Sequence, residues 1–297
     1  MGQPWSNQWG DRSASMAIAR HDDGVRADLG ALASQVHPVF MLPPLAASAF
    51  GAVLADGLAP ALLGVHLVAV FAALYTAHVK DGYVDFHRRG EDDDHPLSAD
   101  GCRVALAGAS GVFFGCLLAV GLLVDLRAAL LTLPGWVIGY LHAPQLDLTP
   151  VGATAGYPAG IAFALLGGHY VQAGTLTATV VAFAAVFFVV LCGIKTIDDA
   201  TDHDYDRSIG KRTVAVVLGP ERAHRFAYGL MAAGMAGVVA GTAVGVFPPA
   251  SVFAPVVFGV VAAFAWRAGA DAGLATKLLI RGSYLFLAVL VAAVWLA

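Results

Sequence analysis

The chain has 297 residues, is 58% hydrophobic and only 13% charged, and has a mean hydropathy of +0.73 and a formal net charge of −4. Soluble domains carry nearer a quarter charged residues, so this composition excludes an ordinary soluble domain and describes an integral membrane protein. No basic tract suggests nucleic acid, and Cys102, Cys116 and Cys192 have no CxxC or zinc spacing.

The first 36 residues are polar and lack an early apolar core, so they are expected to form a partly disordered cytoplasmic arm without a cleavable signal. From residue 37 onward the chain reads as one membrane domain. Crossing about 30 Å of hydrocarbon takes about 20 mostly apolar residues. Runs of that kind lie near 38–56, 58–79, 103–124, 127–143, 150–170, 173–194, 223–244, 248–266 and 276–297. The pattern predicts an all-α integral membrane bundle of nine transmembrane helices.

Charge gives the orientation. With the N-terminus inside, fifteen of the seventeen Lys and Arg border the inner segments. The exceptions are Arg127, in an outer loop, and Arg281, within the last run. This bias follows the positive-inside rule and predicts a multi-pass cell-membrane protein with a cytoplasmic N-terminus. Thirteen of the twenty-one acids fall in two inner connections, the second-to-third and the sixth-to-seventh. Such spacing hints at a repeated helix pair followed by an acidic loop.

The sixth-to-seventh connection runs from Lys195 to Thr213. In it Asp198, Asp202 and Asp206 recur every four positions. On a continuous helix these three share one face while Asp204 turns to solvent. Like charges so placed repel one another, unless a divalent cation neutralises them. Mg²⁺ takes one or two carboxylates, waters and substrate phosphate oxygens. The cations that follow, Lys211 and Arg212 among them, would hold the same phosphate directly. The competing reading is a solvated, charged loop.

The second-to-third connection repeats the theme. Asp81 and Asp85 are spaced i, i+4, with Lys80, Arg88 and Arg89 beside them. The following Glu91–Asp94 run is either solvated or contributes one ligand. Carboxylates at the ends of membrane helices are costly unless paired, hydrated or metal-bound. Two such clusters on one membrane face describe a site for a magnesium-bridged diphosphate, and a membrane setting suggests a lipid tail on it.

These residues resemble the UbiA superfamily of intramembrane prenyltransferases. The stretch Asp198-Asp199-x-x-Asp202-x-x-x-Asp206-Arg207-x-x-Gly210-Lys211-Arg212-Thr213 is similar to that family's second motif. The segment from Asp81 to His95-Pro96-Leu97 resembles the first, in a form nearest the 1,4-dihydroxy-2-naphthoate branch. Two registers stay open for the first motif: either Asp81 or Ala77 stands in the family's Asn position, and both keep Asp81 and Asp85 in the site. His37-Pro38 stands where many members have Arg-Pro. The resemblance covers roughly residues 35–297.

It implies a polar cytoplasmic arm over 1–36, a prenyltransferase domain over 37–297 and an active site at the cytoplasmic face. Asp81, Asp85, Asp198, Asp202 and Asp206 would bind Mg²⁺, the first four being central to catalysis. Lys195, Arg88, Lys211 and Arg212 would hold the diphosphate of a polyprenyl donor. Tyr140 and His142 either contact the acceptor or anchor the interface, and Asp147 shares that ambiguity. The implied acceptor is aromatic or lipid, first a quinone precursor such as 1,4-dihydroxy-2-naphthoate in menaquinone synthesis, with geranylgeranylglyceryl phosphate or a carotenoid as alternatives.

Two other classes compete. CDP-alcohol phosphotransferases use Asp-Gly-x-x-Ala-Arg, whereas Asp81-Gly82 is followed by Tyr-Val-Asp-Phe. A cation transporter would carry its acids near mid-helix, and these crowd at helix ends.

Overall fold

The computed structural model describes residues 17–268 and 272–297; the first sixteen residues of the expected arm lie outside the described residues. Twelve α-helices follow in order. They are α1 (Val25–Ala33), α2 (Pro38–Val53), α3 (Pro60–Gly82), α4 (Ala99–Leu123), α5 (Leu126–Leu141), α6 (Pro150–Ala173), α7 (Ala178–Thr201), α8 (His203–Ser208), α9 (Val214–Leu218), α10 (Pro220–Ala243), α11 (Phe253–Arg267) and α12 (Ala272–Trp295). Two π-helical turns, Tyr83–Arg89 and His142–Leu146, extend α3 and α5.

Helix starts follow local chemistry. Ser98, Asp125, Thr149, Thr177 and Thr213 each accept a hydrogen bond from the backbone N–H three residues ahead, relieving donors that have no partner within the helix. Proline opens α2, α3, α6 and α10, where its missing N–H costs nothing.

A long helix stands at each of the nine apolar runs. Among the described residues, seven are long and apolar enough to cross a membrane alone, and the α1–α2 pair, bent by 66°, makes an eighth candidate. The difference from nine lies in α2 and α5, which have 16 residues each. At 1.5 Å per residue they reach only about 24 Å. The expected disordered arm is also different over its described part: α1 is helical, and Ala19 pairs with Leu97 in an antiparallel bridge.

Helices α2, α3, α5, α6, α7 and α12 pack in succession around a central space, with α4 outside α3 and α5, and α10 and α11 outside α7 and α12. The largest apolar cluster among the described residues joins Phe50 of α2, Ile161 and Leu165 of α6, Phe183, Phe187 and Val190 of α7, Phe258 of α11 and Phe286 of α12. Helices α2 and α6 approach at reciprocal glycines. Gly51 abuts the Leu165 carbonyl and Gly168 the Ser48 carbonyl, leaving no room for a Cβ at either. Without a hydrophobic drive between helices in lipid, such close contact is what holds them together.

Candidate active site

The first acidic motif straddles the end of α3. Asp81 lies in its last turn and Asp85 in the π-helical turn beyond. Both line a cavity of about 620 Å³ enclosed by the ring of helices. Gly90, in the left-handed region at φ 65°, ends the turn, and Glu91 N–H donates to the Asp85 carbonyl at 2.8 Å.

Arg89, which sequence reasoning passed over in favour of Arg88, is the cation that organises this turn. Its guanidinium lies 3.4 Å from Asp85, 3.7 Å from Glu91 and 3.0 Å from Asp147. The last contact ties the turn to the α5–α6 connection. Arg88 is exposed.

The second motif starts on α7. Lys195 bonds Asp198 at 3.2 Å and pairs closely with Asp199. Asp199 is only 3% exposed and also accepts from Thr154 Oγ1 on α6 at 3.2 Å. Lys195 and Asp198 line the same cavity as Asp81 and Asp85, so residues more than a hundred positions apart meet there.

The helical register expected across Asp198, Asp202 and Asp206 breaks. Helix α7 ends at Thr201, and Asp202 sits exposed at the junction with φ −102° and ψ 14°. Asp206 falls on the separate helix α8, 7% exposed, and Asp204 points to solvent. Burial raises the Asp206 pKa to about 6 against the opposing pull of Lys211. The five acids named as metal ligands therefore do not gather into one cluster. Among the described residues, no three His, Cys, Asp or Glu side chains are close enough to hold an ion by themselves.

The chain after α8 is tied back through its backbone to α8 and to the α5–α6 connection. Lys211 N–H donates to the Asp206 carbonyl at 2.9 Å, and Arg212 N–H to the Asp147 carbonyl at 3.1 Å; the Arg212 side chain is exposed. The Lys211 ammonium acts on Asp85 of the first motif as well as Asp206 of the second. Tyr205 is half exposed; slight desolvation and the negative field of Glu91, Asp85 and Asp92 raise its hydroxyl pKa, with Lys211 pulling the other way.

His142 lines the cavity with Nε2 3.9 Å from Asp81 Oδ1. Tyr140 is not among the cavity-lining residues. Its ring lies under the Lys80 ammonium at 4.2 Å and stacks on Trp136, so it serves as packing for a cation. Arg281 is exposed on α12.

The described part of the arm touches the cavity rim at Asp94. Arg20 and His21 meet Asp94 at 2.9 and 2.8 Å, and the Arg20 guanidinium covers the Phe86 ring at 4.3 Å. The signal in the sequence was slight: an isolated Arg-His ahead of α1.

No family profile matches the sequence, and no curated protein is similar to it in sequence. Solved structures are similar in fold. An apo UbiA homologue from Aeropyrum pernix K1 superposes with a TM-score of 0.69, covering 88% of this chain and 97% of its own at 17% identity. The chain has the UbiA fold. A UbiA homologue from Archaeoglobus fulgidus bound to GPP and Mg²⁺ shares this fold at TM-score 0.68 and 16% identity, over 91% of this chain and 99% of that one. A structure of digeranylgeranylglyceryl phosphate synthase superposes on the chain with a TM-score of 0.71 at 12% identity, covering 91% of this chain and 98% of its own.

Proposed function

We propose that the protein is a membrane-embedded prenyltransferase that moves an isoprenoid chain from a polyprenyl diphosphate to an acceptor, releasing pyrophosphate. The observation that carries this reading is the shared cavity. Asp81 and Asp85 of one motif and Lys195 and Asp198 of the other line its polar end, and Val70, Leu74, Phe113, Ile161 and Ala164 line its apolar length. A diphosphate fits the first end and a hydrocarbon tail the second.

The donor set suits Mg²⁺, since carboxylate oxygens are hard ligands and the ion takes few of them from protein when phosphate supplies the rest. Asp81, Asp85 and Asp198, which line the cavity, would hold it, and Asp202 at the α7–α8 junction and Asp206 on α8 are the further carboxylates that the second motif offers. Held by these carboxylates, Mg²⁺ would supply positive charge to offset the negative charge developing on a departing pyrophosphate.

The chain's own groups do the remaining work. Lys195 is fixed by Asp198 and Asp199, so its charge is positioned before substrate arrives, and preorganised charge is worth more than mobile charge. Lys211 sits between the motifs and, with Arg88 and Arg212, adds positive potential for the diphosphate. Arg89 holds Asp85 in place. As the allylic carbon–oxygen bond breaks, the carbon gains cationic character, and the apolar walls keep water from it. An electron-rich acceptor carbon or oxygen then attacks.

The acceptor we favour is a quinone precursor such as 1,4-dihydroxy-2-naphthoate, on the form of the first motif. The likeness to digeranylgeranylglyceryl phosphate synthase supports a second reading, transfer to geranylgeranylglyceryl phosphate. In either case the protein is multi-pass, with its site on the cytoplasmic side, as the cation bias supports. Incubating membranes with labelled geranylgeranyl diphosphate, Mg²⁺ and both acceptors tests the proposal. A labelled product with the naphthoate is expected, a product only with the glyceryl phosphate favours the second reading, and none with any acceptor or Mg²⁺ level defeats the enzyme.

A further inference from the structure

The cavity wall holds hydroxyls whose donor protons are already committed to carbonyls, and three imidazoles, of His66, His78 and His95, with ring nitrogens left unpaired; of these, His78 is the one that two further imidazoles flank. Ser34 Oγ donates to the Ala31 carbonyl, Tyr157 Oη to the Phe40 carbonyl and Ser283 Oγ to the Ile280 carbonyl. His78 also lines this wall, and its Nδ1 is buried with no hydrogen-bond partner. A buried polar atom left unpaired costs stability, and in a cavity it is an invitation to a ligand atom.

His78 lies three residues before Asp81 on α3, so the two share a face with the imidazole one turn deeper. His37, at the start of α2, meets the His78 ring edge-on with centroids 4.9 Å apart, and Phe40 meets it edge-on at 6.3 Å. His142 approaches Asp81 from the end of α5. Three separate elements thus bring three imidazoles to one side of the cavity.

We infer that His78, flanked by His37 and His142, holds the hydroxyl of an aromatic acceptor and so selects a hydroxylated ring over an all-hydrocarbon one. The inference rests on the transfer reading above. In this arrangement the acceptor O–H donates to His78 Nδ1, and Phe40 offers an apolar flank to the ring. The hydroxyl lies one helical turn below Asp81, next to where the prenyl carbon would be released.

The test uses the full chain in detergent, with 1-naphthol, naphthalene and geranyl diphosphate as probes in calorimetric titration. The wild type is expected to bind 1-naphthol about tenfold more tightly than naphthalene, the effect of one hydrogen bond. His78→Phe should erase that preference, and His78→Asn, which keeps an acceptor oxygen near the Nδ1 position, should retain most of it. Geranyl diphosphate binding with Mg²⁺ should be the same in all three, which also certifies their folding. An undiminished naphthol preference in His78→Phe, or none in the wild type, overturns the inference. Failure of the wild type to bind geranyl diphosphate with Mg²⁺ strikes the transfer reading instead, and the naphthol comparison can still be read.

Discussion

Arg89 Nη1 lies 3.0 Å from Asp147 Oδ2, across 58 residues of chain, and the same guanidinium faces Asp85. One cation thereby fixes the first motif to the turn that opens α6. Removing it leaves the three largely buried carboxylates of Asp85, Glu91 and Asp147 without their shared cation. Arg89→Ala is expected to lower stability by about 2 kcal/mol and to reduce prenyl transfer severalfold. Thermal unfolding in detergent and a product assay check both, and an unchanged melting temperature would refute the clamp.

Asp81 and Asp198 face the cavity from opposite motifs. Replacing either with Ala should remove Mg²⁺-dependent product formation, a loss of at least about a hundredfold on the scale of a misplaced charge stabiliser. The far-ultraviolet circular dichroism should stay that of the wild type. Asp202→Ala tests the exposed junction separately, and full activity would take it out of the metal set. Chelating Mg²⁺ should silence the wild type reversibly.

His95 lies outside the membrane-spanning helices, buried among Phe86, His87 and Gly82, and neither ring nitrogen has a partner. Burial lowers its pKa from the usual 6.5. The unfolded chain therefore binds a proton that the fold resists, so this contribution is whole above pH 6.5 and is lost as pH falls through the lowered value. Melting temperature should drop on acidification below pH 6.5, and the drop should be shallower in His95→Leu. An identical slope in the two proteins would count against it.

Gly168 of α6 abuts the Ser48 carbonyl of α2. A side chain there must push the helices apart. Gly168→Val is expected to destabilise the protein by about 2–3 kcal/mol, the typical cost of overpacking, whereas Gly160→Val on the same helix, with open space at its Cβ position, should be tolerated. Comparing the two melting curves decides the matter.

Much of this molecule was legible before any coordinates. The long apolar runs, the Ser, Asp and Thr caps, and the crowding of acids after α3 and α7 are local properties, expressed within a few residues of where they are written. The exposure of Asp204 and the facing of Asp81, Asp85 and Asp198 into one cavity agree with that reading, whereas the burial of Asp199 beneath Lys195 and Thr154 was not foreseen. What the sequence could not show was the register at helix ends. The π-helical turn after α3 uses i→i+5 bonding, and it is Arg89, not Arg88, that meets the acids. The break at Asp202 separates Asp206 from Asp198, so the three acids do not share a helix face. The meeting of His37, His78 and His142 joins three elements far apart in the chain. Such contacts depend on where whole helices cross, which long-range packing decides and no short stretch of sequence contains.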